Sequence, residues 1–291
     1  MMLSSDCKKM AAAISSPPEN KMLVFSDLDG SLLDHDTYDW SPAQPSVDAL
    51  RLRGIPLVLV SSKTLAELER YQSEFGLAHP VVAENGAAIH VPAGYFRESS
   101  VVAGVAASRD DIQFAYRRVK AALNCQCEAF FEMGRSGIME ATGLSAEQAT
   151  LAQERLGSEP ILWLDTEARL GRFEEAVRQD GLRCVRGGRF VHLMGDTDKA
   201  EAVSKLIDAY RNEWPGCTIT SVSLGDGPND LGMLACTDVG VVIPGKHDQP
   251  MPLESGNRVL RPESHGPAGW NEAIQMLLSE HDSFKQKRNG A

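Results

Sequence analysis

The chain has 291 residues, a formal net charge of -11 and a hydrophobic content of 43%. That apolar content excludes a disordered chain, and the length suits one large or two medium domains. The acidic balance argues against a nucleic-acid or anionic-membrane surface, since both want clustered Lys and Arg. An anionic ligand would need local cations or a metal.

Residues 1–20 are mixed and polar and close on Ser15-Ser16-Pro17-Pro18. They read as a loose tail, because Ala11 to Ile14 is too short for a signal-peptide core. No run approaches the length of a transmembrane helix. The cysteines are scattered, and the Cys125/Cys127 pair has no second pair to complete a zinc site. Free thiols in a reducing compartment are expected, so the protein reads as soluble and cytoplasmic.

Met22 to Phe25 is a short apolar run that reads as a buried strand. It ends in Ser26-Asp27-Leu28-Asp29-Gly30-Ser31, where Gly30 permits the turn that leaves the strand. After a polar loop, Ser46 to Arg53 reads as a helix with Ser46 as N-cap. Ile55 to Val60 is a second buried strand, ending in Ser61-Ser62-Lys63-Thr64. A helix over Leu65 to Phe75 stops at Gly76, and Pro80 to Ala83 is a third strand, ending in Glu84-Asn85-Gly86. This alternation predicts βαβ units on a parallel sheet.

The pattern changes after Gly86. Short strands are expected at Ile89 to Val91 and near Val101. Ser108 and Ser145 open helices with capping-box spacing. Pro160 to Leu164 reads as a strand and Glu167 to Gln179 as a helix. Leu182 to Arg186 and Arg189 to Leu193 flank Gly187-Gly188, a hairpin signal. The alternation resumes with a helix over Asp198 to Arg211 and a strand over Ile219 to Leu224, which ends in Gly225-Asp226-Gly227-Pro228-Asn229-Asp230. A short helix at Leu231 to Ala235, a strand at Val239 to Ile243 and a helix at Ala268 to Ser279 complete the chain. The expected architecture is α/β: a parallel-sheet core over 21–86 and 191–291, and an inserted α+β unit over 87–190.

Four stretches therefore end at one edge of the inferred sheet: Asp27 to Gly30, Ser61 to Thr64, Lys199 in the first turn of its helix, and Gly225 to Asp230. Ligands in open α/β sheets sit at such an edge. Asp27 and Asp29 repel each other unless a cation lies between them or one holds a proton. A carboxylate nucleophile, a second acid, a metal-binding carboxylate set, a hydroxyl and an ammonium are what phosphate-ester hydrolysis through an aspartyl phosphate needs.

In this order the four stretches resemble the motifs of the haloacid dehalogenase superfamily of phosphatases, D-x-D-x-[TS] falling on Asp27 to Ser31 and G-D-x-x-N-D on Gly225 to Asp230. The resemblance implies a Rossmannoid core with a C2-type cap, with Asp27 as nucleophile, Asp29 as acid/base and Lys199 completing the catalytic set. It implies phosphate contacts from Ser61, Ser62, Asp29, Gly30 and Lys199. Mg²⁺ would be held by Asp27, the Asp29 carbonyl, Asp226 and Asp230. Members of this branch are mostly sugar-phosphate phosphatases.

A narrower resemblance covers nearly the whole chain after Asn20. It rests on Ala83 to Ala87, Thr142-Gly143-Leu144, Ser158-Glu159-Pro160 and Gly188 to Gly195, and points to the mannosyl-3-phosphoglycerate phosphatase family. It implies a small anionic sugar phosphate as substrate, mannosyl-3-phosphoglycerate first. Glu84, Asn85, Ser158 and His192 are substrate-contact candidates. Arg189, helped by Lys63, would pair with the substrate carboxylate, and Glu159 would accept sugar hydroxyls. Three rivals stand beside it. The same chemistry could act on glucosyl-3-phosphoglycerate or a hexose phosphate, the enzyme could be a phosphomutase, or the fold could bind phosphate without catalysis. Retention of Asp27, Asp29, Lys199 and Asp226 together argues against the last.

Overall fold

The computed structural model describes residues 19–97, 106–187, 189–245, 251–253 and 257–289, with side chains in the last helix described as far as Ser283. The tail before Glu19, the expected strand near Val101 and Gly188 of the expected hairpin lie outside the described residues. In chain order the elements begin with β1 (Asn20–Ser26), α1 (Gln44–Leu52), β2 (Leu57–Val60), α2 (Leu65–Phe75), β3 (Val81–Ala83) and β4 (Ala88–His90). Next come α3 (Arg109–Leu123), β5 (Cys127–Ala129), α4 (Phe130–Thr142), α5 (Ala146–Ala152), β6 (Ser158–Trp163), α6 (Glu167–Arg178), β7 (Leu182–Arg186) and β8 (Val191–Gly195). The chain then runs through α7 (Lys199–Glu213), β9 (Thr218–Gly225), α8 (Leu231–Cys236), β10 (Val239–Val242), β11 (Arg258–Leu260) and α9 (Gly266–Asn289).

Among the described residues, seven strands form one sheet in the order β11-β10-β9-β1-β2-β3-β4. Every neighbouring pair is parallel except β3 with β4. The α/β expectation is thereby met. The central strands are apolar on both faces because helices cover both. Val24, Leu57, Leu59 and Leu224 pack with Val47, Leu50, Trp270 and Ile274 of α1 and α9. Leu23, Phe25, Val58 and Val60 face Ala202, Val203, Leu206 and Tyr210 of α7. The two-residue alternation of a strand thus feeds two separate apolar layers from one run of sequence.

The second sheet is antiparallel, in the order β5-β6-β8-β7. One face packs on α3 and α6 through Ile112, Tyr116, Ile161, Phe173, Val177 and Leu193. The sequence boundaries at 86/87 and 190/191 do not coincide with the sheets. β4 folds back onto β3 in the large sheet, and β8 belongs to the small one. Three of the elements were not expected at all: β11 at the edge of the large sheet, α4, which is kinked at Gly134 (φ 62°, ψ 180°), and the three-residue strand β5 before it. The glycines at 134 and 137 interrupt the apolar periodicity that would mark a helix.

Two local readings also change. Helix α1 begins at Gln44 with Pro45 in its first turn, so Ser46 is inside the helix. Its hydroxyl donates to Asn271 Oδ1 at 2.7 Å, tying α1 to α9. β8 starts at Val191, so Arg189 lies in the connection from β7, not on the strand. Among the described residues no helix is long and apolar enough to cross a membrane.

Candidate active site

The strand order sets β9, β1, β2 and β3 side by side, all running the same way, so their carboxyl ends deliver four loops to one edge. Asp27 stands just past β1, and its amide donates to the Leu224 carbonyl of β9 at 2.9 Å. Behind it, the buried Trp270 indole donates to Ser26 Oγ at 2.8 Å, and that hydroxyl donates to the Asp27 carbonyl at 2.7 Å. These bonds fix where the Asp27 side chain starts.

Lys199 opens α7, whose N-cap is Asp198. The side chain is only 1% exposed, and its ammonium lies 2.7 Å from Asp27 Oδ1 and 2.7 Å from Asp230 Oδ1. Asp230 is held in turn: its Oδ2 accepts from the amides of Asp226 (3.2 Å) and Gly227 (3.0 Å). Gly30 has φ +84°, and a Cβ there would lie 2.2 Å from Asp226 Oδ2, so the turn after β1 needs glycine twice over. The Gly30 amide already donates to the Leu33 carbonyl at 2.9 Å. Gly30 therefore shapes the loop, with its amide turned to the chain that follows.

Ser61 is buried at the end of β2, and its hydroxyl accepts from the Lys63 amide at 3.3 Å. Lys63 turns to the other acid of the first motif, with Nζ 2.9 Å from Asp29 Oδ2 and 4.9 Å from the Tyr38 ring centre. Burial pulls the Lys63 ammonium down, but Asp29 and Glu67 outweigh it and hold the pKa above the usual lysine range. Among the described residues, Asp29 Oδ1 and Ser31 Oγ are buried polar atoms without a hydrogen-bond partner. Buried polar atoms left unmatched in this way call for a polar partner.

Asp27, Asp226 and Asp230 offer carboxylate oxygens within 4.8 Å of one another. Burial, then Asp230, raises the Asp27 pKa well above the carboxylate range, although Lys199 pulls it back. Burial and then Asp230 push Asp226 up to about 7. Mutual repulsion of this kind is what a divalent cation among the three would relieve. The donor set is all oxygen, which fits Mg²⁺.

The remaining sequence candidates divide. Glu84 is fully buried with φ 54°, and its carboxylate accepts from the amides of Leu156 (2.7 Å) and Gly157 (3.2 Å) and from Ser158 Oγ (2.7 Å). Glu84 and Ser158 thus join the two sheets through these bonds. Asn85 Oδ1 accepts from Asn229 at 3.3 Å, bridging the β3 and β9 loops, while its Nδ2 has no partner among the described residues. Glu159 is fully buried. It alternates with Ser158 and Pro160 along β6, so it faces α3 and α4, where Oε1 accepts from the Phe131 amide at 3.0 Å and Oε2 sits 3.7 Å from Arg109.

His192 lies on the opposite face, paired in register with Pro160 and Val185. Burial, then the charges of Arg155 and Lys199, brings its pKa down to about 3, so the ring is neutral. Arg189 is exposed, and its Nη1 donates to the Ala141 (3.0 Å) and Thr142 (3.3 Å) carbonyls at the end of α4. Ser62 is partly buried beside Ser61, and its carbonyl is occupied.

What occupies it is Arg155, which the sequence reading passed over. The residue is 7% exposed, and Nη1 donates to the Ser62 carbonyl and to Ser158 Oγ, each at 3.0 Å. Thr64 Oγ1 adds a bond to the Leu151 carbonyl at 2.9 Å. The loop between α5 and β6 is therefore fastened to the loop that carries Ser61. No local pattern marks Arg155, since its partners lie 93 and 3 residues away. Arg155→Ala is expected to lower kcat/KM by roughly 10²-fold, the scale of a small misplacement of reacting groups. It should also cost about 2 kcal/mol through lost bonds to a charged donor. Steady-state kinetics beside urea unfolding checks both, and unchanged kcat/KM would show that the Ser62 carbonyl needs no anchor.

Known proteins resemble this chain in sequence and in fold. A family model described as haloacid dehalogenase-like hydrolase matches residues 24–152. The glucosyl-3-phosphoglycerate/mannosyl-3-phosphoglycerate phosphatase of Methanococcoides burtonii is 34% identical over 276 residues, which are 91% of this chain and 100% of that protein. Among solved structures, a haloacid dehalogenase-like hydrolase from Bacteroides thetaiotaomicron superposes with TM-score 0.64 at 17% identity, covering 88% of this chain and 99% of that one. The sucrose-phosphatase from Synechocystis sp. PCC6803, solved with sucrose and phosphate, gives TM-score 0.58 at 17% identity over 90% of this chain and 98% of that one. At such identities the two structures bear on the fold alone.

Proposed function

The chain belongs to the haloacid dehalogenase-like hydrolases and is a phosphoric monoester hydrolase, and from that premise we propose that it hydrolyses mannosyl-3-phosphoglycerate to mannosylglycerate and phosphate through an aspartyl phosphate on Asp27. One observation carries the chemistry. Asp27 is locked through Oδ1 to a buried lysine, while Asp29, two residues on, keeps an unpartnered buried oxygen.

In this reading an Asp27 carboxylate oxygen attacks phosphorus and the glycerate C3 alkoxide leaves. Asp29 gives that oxygen its proton, then takes a proton from the water that attacks the aspartyl phosphate and frees inorganic phosphate. Lys199 and the Ser61 hydroxyl hold the charge that gathers on the phosphoryl oxygens. Asp27, Asp226, Asp230 and the Asp29 carbonyl would hold Mg²⁺, which when bound neutralises phosphoryl charge that would otherwise repel the nucleophile. Lys63 and the outward Arg189 are the cations offered to the substrate carboxylate.

The substrate reading is supported by the name of the Methanococcoides burtonii relative, which also favours a second reading, glucosyl-3-phosphoglycerate in the same site. A panel of both glycosyl-3-phosphoglycerates, hexose phosphates and p-nitrophenyl phosphate tests it. The glycosyl-3-phosphoglycerates are expected to lead the hexose phosphates by roughly tenfold or more in kcat/KM, with mannosyl first. A flat profile would remove the substrate and leave the phosphatase. Run with a chelator, the same panel should lose all turnover and regain it with Mg²⁺; turnover that survives chelation contradicts the carboxylate cluster as a metal site.

A further inference from the structure

The two carboxylate oxygens of Asp29 stand in different surroundings. Oδ2 lies 2.9 Å from the Lys63 ammonium, whereas Oδ1 is buried and has no hydrogen-bond partner among the described residues. Lys63 is held for this contact at both ends. Its amide donates to Ser61 Oγ at 3.3 Å and its carbonyl accepts from the Glu84 amide at 2.9 Å, so the β2 and β3 loops together fix its backbone. Its side chain is 10% exposed, and the ring centres of Tyr38 and Tyr71 lie 4.9 and 5.8 Å from the ammonium. Glu67 is the other carboxylate that draws on this charge, but its Oε2 accepts from the Thr64 amide at 2.9 Å, which keeps it in the cap of α2. Asp29 is left as the acid at ion-pair distance.

An ammonium has three N–H donors and no acceptor. The oxygen that meets it must therefore accept, in the carboxylic acid as in the carboxylate, and a carboxyl group bound through Oδ2 carries its proton on Oδ1. We infer that Lys63 is a positioning residue for Asp29: by gripping Oδ2 it fixes the orientation of the carboxyl group and reserves Oδ1 for the proton that passes to the leaving alkoxide and is replaced from water. The inference rests on the acid/base reading of Asp29 above and assigns both the oxygen that exchanges the proton and the residue that aims it. Two N–H donors of Lys63 remain for a substrate carboxylate. Aiming the acid and meeting the substrate are thus compatible roles, and they differ in the kinetic constant they move.

The test compares a leaving group that needs a proton with one that does not. Single-turnover phosphorylation of Asp27 is followed with Mg²⁺ present on wild type, Lys63→Met and Asp29→Asn. The substrates are the alkyl phosphate that leads the panel and p-nitrophenyl phosphate, whose phenolate leaves unprotonated. In Lys63→Met the limiting rate with the alkyl phosphate should fall by roughly 10²-fold, the scale of a small misplacement of a reacting group, while the rate with p-nitrophenyl phosphate hardly changes. Equal losses on both esters would make Lys63 a structural residue and overturn the inference. An unchanged limiting rate with the alkyl phosphate also overturns it, including the case in which only the half-saturation concentration rises because Lys63 meets the substrate alone. Asp29→Asn tests the premise separately. It should discriminate between the esters as Lys63→Met does, and equal losses there remove Asp29 as the acid and the inference with it. Should Lys63→Met fail to fold, Lys63→Gln decides by the same criterion, because its shorter side chain falls short of Oδ2.

Discussion

Replacing Asp27 with Asn is expected to lower kcat by ~10⁴-fold or more, because the amide is a far weaker nucleophile than the carboxylate and no aspartyl phosphate can form in its place. The fold should not suffer. Asn keeps an Oδ1 to accept from Lys199, now 2.7 Å from Asp27 Oδ1, and the change removes one of three crowded carboxylates. Burial and Asp230 already make the ionised form of Asp27 unfavourable. In chelator the urea midpoint of the variant should therefore equal or exceed that of the wild type. A variant that loses activity because it unfolds would show the opposite, so the pair of measurements separates chemistry from stability.

Lys199→Met is expected to damage both. The lysine sits fully buried between Asp27 and Asp230, each 2.7 Å away, and is the cation that lets these two acids share one site. Methionine keeps the length and removes the charge, leaving two facing carboxylates without their shared cation. Breaking a buried ion pair in this way costs about 3–5 kcal/mol, reduced to the extent that one acid takes up a proton. Loss of the ammonium should also lower kcat by ~10³-fold, the upper range for removing one donor to a developing anion. Urea unfolding in chelator and single-turnover rates with Mg²⁺ measure the two effects. A variant with wild-type stability would mean that Lys199 does not hold the acids together.

The parallel core and the four motif loops were legible in the sequence because each rests on a local rule. Asp27 and Asp29 follow an apolar run that can only be a buried strand, Lys199 follows the Asp198 N-cap, and Gly30 must adopt a left-handed turn. Several of the connections between the two halves were not legible, because their partners are remote in sequence. Glu84 binds 72 to 74 residues away, and Arg155 reaches back 93. Nothing near either residue in the chain announces this. Glu159 and His192 show a different limit. Strand alternation decides which way each points, but only once the starts of β6 and β8 are known, and those edges lie beyond the reach of local pattern. Helix α4 was hidden for a third reason, since Gly134 and Gly137 erase the periodicity while tertiary packing of Phe130 and Ile138 supplies the stability.

The account turns on a covalent bond at Asp27. Mixing the enzyme with Mg²⁺ and mannosyl-3-phosphoglycerate for a fraction of a turnover, quenching in acid and reducing with borohydride converts an aspartyl phosphate to homoserine. Peptide mass spectrometry then reads which residue changed. Homoserine at position 27, dependent on substrate and absent in Asp27→Asn, is the predicted result. Reduction at position 29 instead, or turnover with no reduced residue at any quench time, would contradict it.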